Sequence, residues 1–256
     1  MTNRVAIVTG ASQGIGQAVA VRLARDFAAV VLVARNREKL EQTARTVQDA
    51  GAEALVLDVD LAQTSSAKTV VAKTLAACGR IDAVLNIAGA VPQIDVLEMT
   101  DEQWDAGMAL KLHAARRLTV EAWPALMSAK GSVVMIAGTS ATVPRASHAA
   151  VGAINAAIVA LAKAFSDRGI TDGVRVNSVL PGVVMTARRR AYFERRAPLH
   201  GITVEEAIVR YPAEAGITRI GQPEDIAELM AFLVSPAAAW MTGSALRMDG
   251  GEVKAA

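Results

Sequence analysis

The chain has almost no tyrosine. Its 256 residues include two, Tyr192 and Tyr211, beside three Trp and four Phe. Chemistry that needs a phenol before residue 192 is therefore excluded. Cysteine is scarcer still. Cys78 stands alone, which excludes an internal disulfide and fits a reducing compartment. Neither sign of charge is in excess: 27 Lys and Arg face 25 Asp and Glu, a formal net charge of +2. No global field favours nucleic acid or an anionic bilayer. No stretch offers 18 uncharged apolar residues, so no membrane span is expected. "MTNRVAIVTGAS" lacks a long apolar run after a basic start, which argues against a signal peptide. A cytoplasmic location is the expectation, with no metal. Repeats, low-complexity tracts and composition shifts are also missing, so residues 1–256 are read as a single domain.

What is present is apolar and alternating. Hydrophobic residues make up 52% of the chain, ample for a large core. "VAIVTG", "AVVLVAR", "EALVLDV", "IDAVLNIAG", "GSVVMIAG", "VRVNSVLPG" and "GSALRMDGG" read as strands. Helical patterns fall between them, among them "DEQWDAGMALKLHAARRLTVEAWPALM" and "SHAAVGAINAAIVALAKAF" (Ser147 to Phe165). Continuous apolar strands alternating with helices predict an α/β fold: one doubly wound parallel sheet, covered on both faces. Segment 187–215, rich in Arg, reads as the one long irregular piece, a lid.

"TGASQGIG" carries the first chemical signal. Gly10, Gly14 and Gly16, with Ser12, Gln13 and Ile15 between them, join the first strand to the first helix. A dinucleotide site needs glycines there for a tight turn and close backbone approach. Its pyrophosphate then sits on the helix N-terminus, where free N–H groups point. The strand-turn-helix context raises this above a bare glycine pattern.

These residues resemble the short-chain dehydrogenase/reductase family, whose signature is Thr-Gly-x-x-x-Gly-x-Gly. The likeness continues along nearly the whole chain and implies a Rossmann-type fold. "LDVDLA" looks like the adenine-pocket segment, with Asp58 and Val59 beside the base. "NIAG" resembles the family's Asn-Asn-Ala-Gly and brings in Asn86, Ala88 and Gly89. "VRVNSVLPGVVMT" resembles the nicotinamide-side segment, which implies Pro181, Gly182, Val183 and Thr186. The position ending strand two, acidic in NAD-binding members, holds Ala34, and Arg35 follows. A guanidinium suits the 2′-phosphate of NADP. NADP(H) is therefore expected over NAD(H), with Arg37 as a second contact. Gln13 weighs the other way, since NADP members often carry a basic residue inside the glycine turn.

The family's active site uses an Asn, a Ser and a Tyr-x-x-x-Lys. The corresponding positions here are Lys111, Gly138, Val151 and Asn155, and all four differ. No shift of register restores the Tyr; a slip of one or two residues would put Thr139 or Ser140 at the Ser position. Lys and Asn stand exchanged between positions 111 and 155. Either the site keeps one ammonium and one amide in swapped places, or two independent changes followed a loss of catalysis. The second reading is favoured on sequence, because nothing replaces the Tyr. Lys111, Ser140 and His148 are the remaining candidates for acid–base work, with weaker claims for His113 and His200. Tyr192 and Arg196 have a Tyr-x-x-x-Arg spacing that reads as chance.

Two functions stay open. One is an oxidoreductase acting on an unknown carbonyl or alcohol through a non-standard site. The other is an inactive homologue serving as a dinucleotide sensor or subunit partner. Weak or absent reduction of ordinary ketones is expected, with a small-molecule ligand and no nucleic-acid partner. The resemblance implies a homo-oligomer, a tetramer.

Overall fold

The computed structural model describes residues 3–254. Seven strands form one parallel sheet: β1 (Val5–Thr9), β2 (Ala29–Ala34), β3 (Glu53–Asp58), β4 (Ala83–Asn86), β5 (Ser132–Ile136), β6 (Arg175–Pro181) and β7 (Ala245–Met248). The helices are α1 (Gly14–Leu23), α2 (Arg37–Asp49), α3 (Ser66–Cys78), α4 (Asp101–Gly107), α5 (Ala114–Ala129), α6 (Ala149–Asp172), α7 (Ala187–Arg196), α8 (Val204–Ala215) and α9 (Pro223–Val234). The strands lie in the order β3-β2-β1-β4-β5-β6-β7. The chain winds outward from β1 to β3, then returns to lay β4 on the other side of β1. Reversals of this kind open a crevice beyond the carboxyl ends of the strands.

Strand periodicity divides the core in two. Ala6, Val8, Val30 and Leu32 face α1, α2 and α9. Val5, Ile7, Val31 and Val33 face α3, α5 and α6. Successive side chains point to opposite faces, and both faces are covered, so these strands are apolar throughout. Thr9 is the buried polar exception in β1 and β2. Its Oγ1 donates to Leu85 O and accepts from the N–H groups of Ile87 and Ala88 at 2.8 and 3.0 Å. That hydroxyl ties the end of β4 to β1 at the switch point.

Three sequence expectations need correcting. The long fourth helix is continuous but changes pitch: Met108–His113 forms a π turn between α4 and α5. Segment 187–215 is not irregular. Thr186 caps α7 by accepting from Arg189 N, and Thr203 and Glu206 form a capping box on α8. Phe193 anchors the pair by packing with Val183 and Ile220. Finally, Ala146–Asp172 is by length and composition apolar enough to cross a bilayer, its most apolar 18 residues having a mean hydropathy of 1.7. Its inner residues Ile158 and Ala162 pack into the core beneath the sheet, and α6 runs seven residues beyond the predicted end at Phe165.

Candidate active site

A cleft of about 1750 Å³ opens at the carboxyl ends of the strands. At one end lies the glycine turn. Gly10 and Gly14 have φ of 68° and 58°, a left-handed backbone that side chains rarely adopt. A Cβ on Gly16 would lie 2.2 Å from Gly10 O, so only glycine lets α1 start so close to β1. Gln13, at the N-cap, makes no side-chain bond to the first turn. The open N–H groups of that turn therefore have no side-chain partner. Ser12, Gln13, Gly14, Ile15 and Gly16 all line the cleft.

Arg35 follows β2, is exposed, and also lines the cleft. Arg37 does not: it pairs with Glu41 at 2.9 Å and with Asp58 at 3.4 Å. The second cation in the wall is Lys39, whose Nζ donates to Gln13 Oε1 at 3.1 Å. Lys39 therefore sets a positive charge against the glycine turn that Gln13 leaves neutral. The signal was available in the sequence, since Asn36 caps α2 by accepting from Lys39 N, fixing Lys39 in the first turn beside Arg35. Val59 lines the cleft, whereas Asp58 lies outside the wall with Arg37. Asn86 also lies outside it. Its buried amide donates to Thr119 Oγ1 at 3.1 Å and ties β4 to α5. Ala88, Gly89, Pro181, Gly182, Val183 and Thr186 complete this part of the wall.

At the other end Lys111, Gly138, Val151 and Asn155 all line the cleft. Lys111, on the π turn, donates from Nζ to Asn155 Oδ1 at 2.5 Å and to Ala137 O at 3.3 Å. Asn155, buried on α6, donates from Nδ2 to Ser140 Oγ at 2.8 Å. The ammonium and the amide thus form one chain that ends on a hydroxyl. The neighbouring glycines fit it. A Cβ on Gly138 would lie 2.8 Å from Asn155 Nδ2, and one on Gly89 would lie 3.0 Å from Lys111 Cδ. Gly138 and Asn155 therefore accommodate each other. Thr139 also lines the cleft, but the chain of bonds ends on Ser140. Val151 lines it too, and packs against the apolar cluster of Val91, Ala150 and Ile154.

Burial, reinforced by the Arg188 guanidinium, pushes the Lys111 ammonium down to about 8. His148 is half-buried at the N-cap of α6, with Nδ1 2.9 Å from Ser147 Oγ. Desolvation first, then Arg145, lowers its pKa, so it is neutral near pH 7. Tyr192 and Tyr211 both line the cleft. Tyr211 donates to Glu252 Oε1 at 3.2 Å, and burial with the Glu252 charge pushes its phenol up to about 12. It is a poor proton source. His113 and His200 do not reach the cleft wall. Among the described residues, no group of three or more His, Cys, Asp or Glu could hold a metal ion.

Comparison with known proteins points one way. The family profile described as Enoyl-(Acyl carrier protein) reductase matches residues 10–252. Tropinone reductase-like 3 of Erythroxylum coca is 32% identical over 97% of this chain and 92% of that protein. Dehydrogenase/reductase SDR family member 4 of Oryctolagus cuniculus is 29% identical over 98% of this chain and 94% of its own. L-Sorbose reductase from Gluconobacter frateurii, solved with NADPH and L-sorbose, superposes with a TM-score of 0.95 at 29% identity, covering 100% and 98% of the two chains. A variant actinorhodin polyketide ketoreductase with NADPH gives 0.92 at 31% identity, covering 98% of each.

The chain belongs to the short-chain dehydrogenase/reductase family.

As a short-chain dehydrogenase/reductase it has the family's nucleotide-binding fold, and its residues fit a dinucleotide. The first turn of α1 carries N–H groups with no side-chain cap, and Arg35 and Lys39 line the same cleft beyond the end of β2. Val151, where the sequence reading expects the family's Tyr, is part of the cleft wall in this short-chain dehydrogenase/reductase. Position 155 is an amide bonded to a lysine from another helix.

Proposed function

We propose that this chain is an NADP(H)-dependent oxidoreductase that interconverts a carbonyl and an alcohol, with Lys111 and Ser140 serving as its polar catalytic pair. The observation that carries the reading is the Lys111–Asn155–Ser140 chain, set in the same cleft as the glycine turn. Glycines at 89 and 138 accommodate it, which favours a built arrangement over two unrelated losses. The preference for NADP(H) rests on Arg35 and Lys39, and NADPH is the cofactor named for both structural relatives.

When bound, the reduced nicotinamide supplies the hydride. The chain's own groups handle the oxygen and the proton. Ser140 Oγ already accepts from Asn155 Nδ2, so its hydroxyl proton is free to donate to the substrate oxygen and stabilise charge that develops there. An ammonium has three N–H donors. Asn155 Oδ1 and Ala137 O take two from Lys111, which leaves one for the substrate. In reduction that N–H breaks, an O–H forms on the product, and the neutral amine is reprotonated from solvent. A pKa near 8 keeps the group charged at neutral pH yet close to the pH at which it must give up a proton. Asn155 is a positioning residue, because it touches Lys111 and Ser140 and holds both.

A second reading keeps the nucleotide site and drops the chemistry: a dinucleotide-binding sensor or subunit partner. Val151 at the Tyr position is what favours it. Stopped-flow and steady-state NADPH oxidation over a panel of ketones and aldehydes separates the two. Turnover that falls in Lys111→Met, with NADPH binding unchanged, is the expected result. Turnover absent throughout, with tight NADPH binding, favours the second reading.

We also infer a homotetramer and a cytoplasmic location. The outer face of α6 presents Ala153, Ala156, Ala160 and Ala164 to solvent, small residues that let helices approach closely. Trp240 is fully exposed and Ile170 is 73% exposed, and large apolar groups at the surface often mark interfaces.

A further inference from the structure

Helix α7 divides its arginines between two environments. Arg190 faces outward and pairs with Glu194 at 3.5 Å and Glu205 at 2.9 Å. Arg188, Arg189, Arg195 and Arg196 line the cleft. They recur at i and i+7, two turns apart, which puts them on one side of the helix. Tyr192 lies between them, with the Arg189 and Arg196 guanidiniums 4.9 and 5.6 Å from its ring centroid. None of these four arginines has a carboxylate ion-pair partner among the described residues; Arg188 donates to Val91 O. Arg145 adds a further guanidinium from the loop before α6.

Two acids share this wall, Glu214 and Glu252, and so does Lys254. Glu252 already accepts from Tyr211. The positive charge therefore outweighs the negative. Neighbouring groups respond to the field: after burial, Arg188 depresses Lys111, and Arg189 and Arg195 depress Arg188. Guanidiniums with no carboxylate between them are free to take a carboxylate or phosphate through paired N–H donors.

The cofactor does not account for the cluster. Arg195 and Arg196 lie nine and ten residues beyond Thr186, about 14 Å further along at 1.5 Å per residue. The dinucleotide's phosphates have their own partners in the proposed site, at α1 and at Arg35 and Lys39. The cleft, at about 1750 Å³, also exceeds the roughly 300–1,000 Å³ of a single small-molecule pocket, which leaves room for a second ligand.

We propose that the carbonyl or alcohol substrate carries a carboxylate or phosphate group, and that Arg189, Arg195 and Arg196 hold it. This rests on the oxidoreductase reading above and names its substrate class. Guanidiniums bind either anion through paired N–H donors, and Tyr192 keeps Arg189 and Arg196 in place by cation–π contact.

The test is calorimetric binding to the NADPH-loaded protein of three probes: 5-oxohexanoate, its methyl ester, and 4-oxopentyl phosphate. One or both anions should bind at least about tenfold more tightly than the ester, as expected for a charge-assisted pair. The stronger of the two names the anion. The advantage should vanish in the Arg195→Gln/Arg196→Gln double variant, persist in Arg190→Gln, and shrink at high salt. NADPH affinity should not change in any of them. Equal binding of acid, phosphate and ester overturns the proposal. So does a double variant that loses NADPH affinity, because the arginines then serve the cofactor. Anion-selective binding without turnover upholds this substrate class while counting against Lys111 as proton donor, so the two failures are distinguishable.

Discussion

The two ends of the cleft are built from different materials. At β1 and α1 the contacts are made by backbone, and the requirement on sequence is an absence: no Cβ at Gly16, where 2.2 Å to Gly10 O leaves no space. At β5 and α6 the contacts are made by side chains, and the same polar groups are supplied from different positions. An ammonium comes from the π turn at Lys111, and an amide comes from α6 at Asn155. Backbone recognition admits few sequence solutions. Side-chain chemistry admits several, provided the groups converge on one point.

The sharpest way to break this comparison is Lys111→Met. If the ammonium is the proton source, kcat/KM falls about 10²–10⁴-fold, the usual worth of a positioned acid, with KM for NADPH unchanged. In the wild type the reduction rate should fall as pH rises through about 8, where Lys111 loses its proton. A profile flat well above pH 8, or full activity in Lys111→Met alongside loss in Tyr192→Phe, would move the site to α7. Gly16→Ala tests the other end. Forcing a methyl against a backbone carbonyl should cost about 3 kcal/mol of stability, a large effect for one substitution. Dinucleotide binding should fail with it, as read by denaturant unfolding and NADPH fluorescence. A silent Gly16→Ala would show that the turn tolerates more than its geometry implies.

Smaller effects sharpen the picture. Arg35→Gln and Lys39→Gln should each lower the preference for NADPH over NADH by about tenfold, the worth of one charge-assisted contact, and leave NADH affinity alone. Arg37→Gln should do neither, because its guanidinium is held by Glu41 and Asp58. The smallest effect is on stability and has the opposite sign from the effect on rate. Lys111 is charged in both folded and unfolded chains below pH 8, but only the folded chain bears the desolvation. Lys111→Met should therefore be more stable by about 1–2 kcal/mol, or a few degrees in Tm. The gain should be full below pH 8 and shrink toward the usual lysine pKa, as the wild-type amine deprotonates in the fold. Unchanged Tm in the variant would mean that the ammonium is better solvated than its surroundings suggest.

How much of this was legible follows the same division. The strands could be read because both of their faces are buried, and the glycine turn because its spacing is fixed by backbone contact. Lys39 could have been found from the Asn36 cap. The helices of segment 187–215 were hidden by their arginines. Only Phe193 of α7 is buried, so the periodic apolar signal is thin, and the capping residues Thr186 and Thr203 carry the information instead. The bond between Lys111 and Asn155 was not legible. The residues are 44 positions apart, and their types say nothing about distance until the π turn and α6 are laid side by side. Gly138 looked like a lost hydroxyl. Next to Asn155 it is the space that the amide occupies.

The π turn at Met108–His113 adds one residue to a helical turn, and one residue is about 100° of rotation. Everything from Ala114 to Ala129 is therefore offset in phase from α4. The buried stripe of Ala115, Leu118, Ala122 and Leu126 depends on that offset as much as on its own composition. Substitution cannot remove it, since every side chain would keep its angular address. Deletion can: excising one residue between Met108 and Leu110 would convert the turn to α geometry and rotate Lys111 with respect to α4. Lys111 and the stripe both follow the excised residue, so either they turn together against the core or α4 turns instead. Indels, seldom tried inside helices, are the mutations to which this site is most exposed.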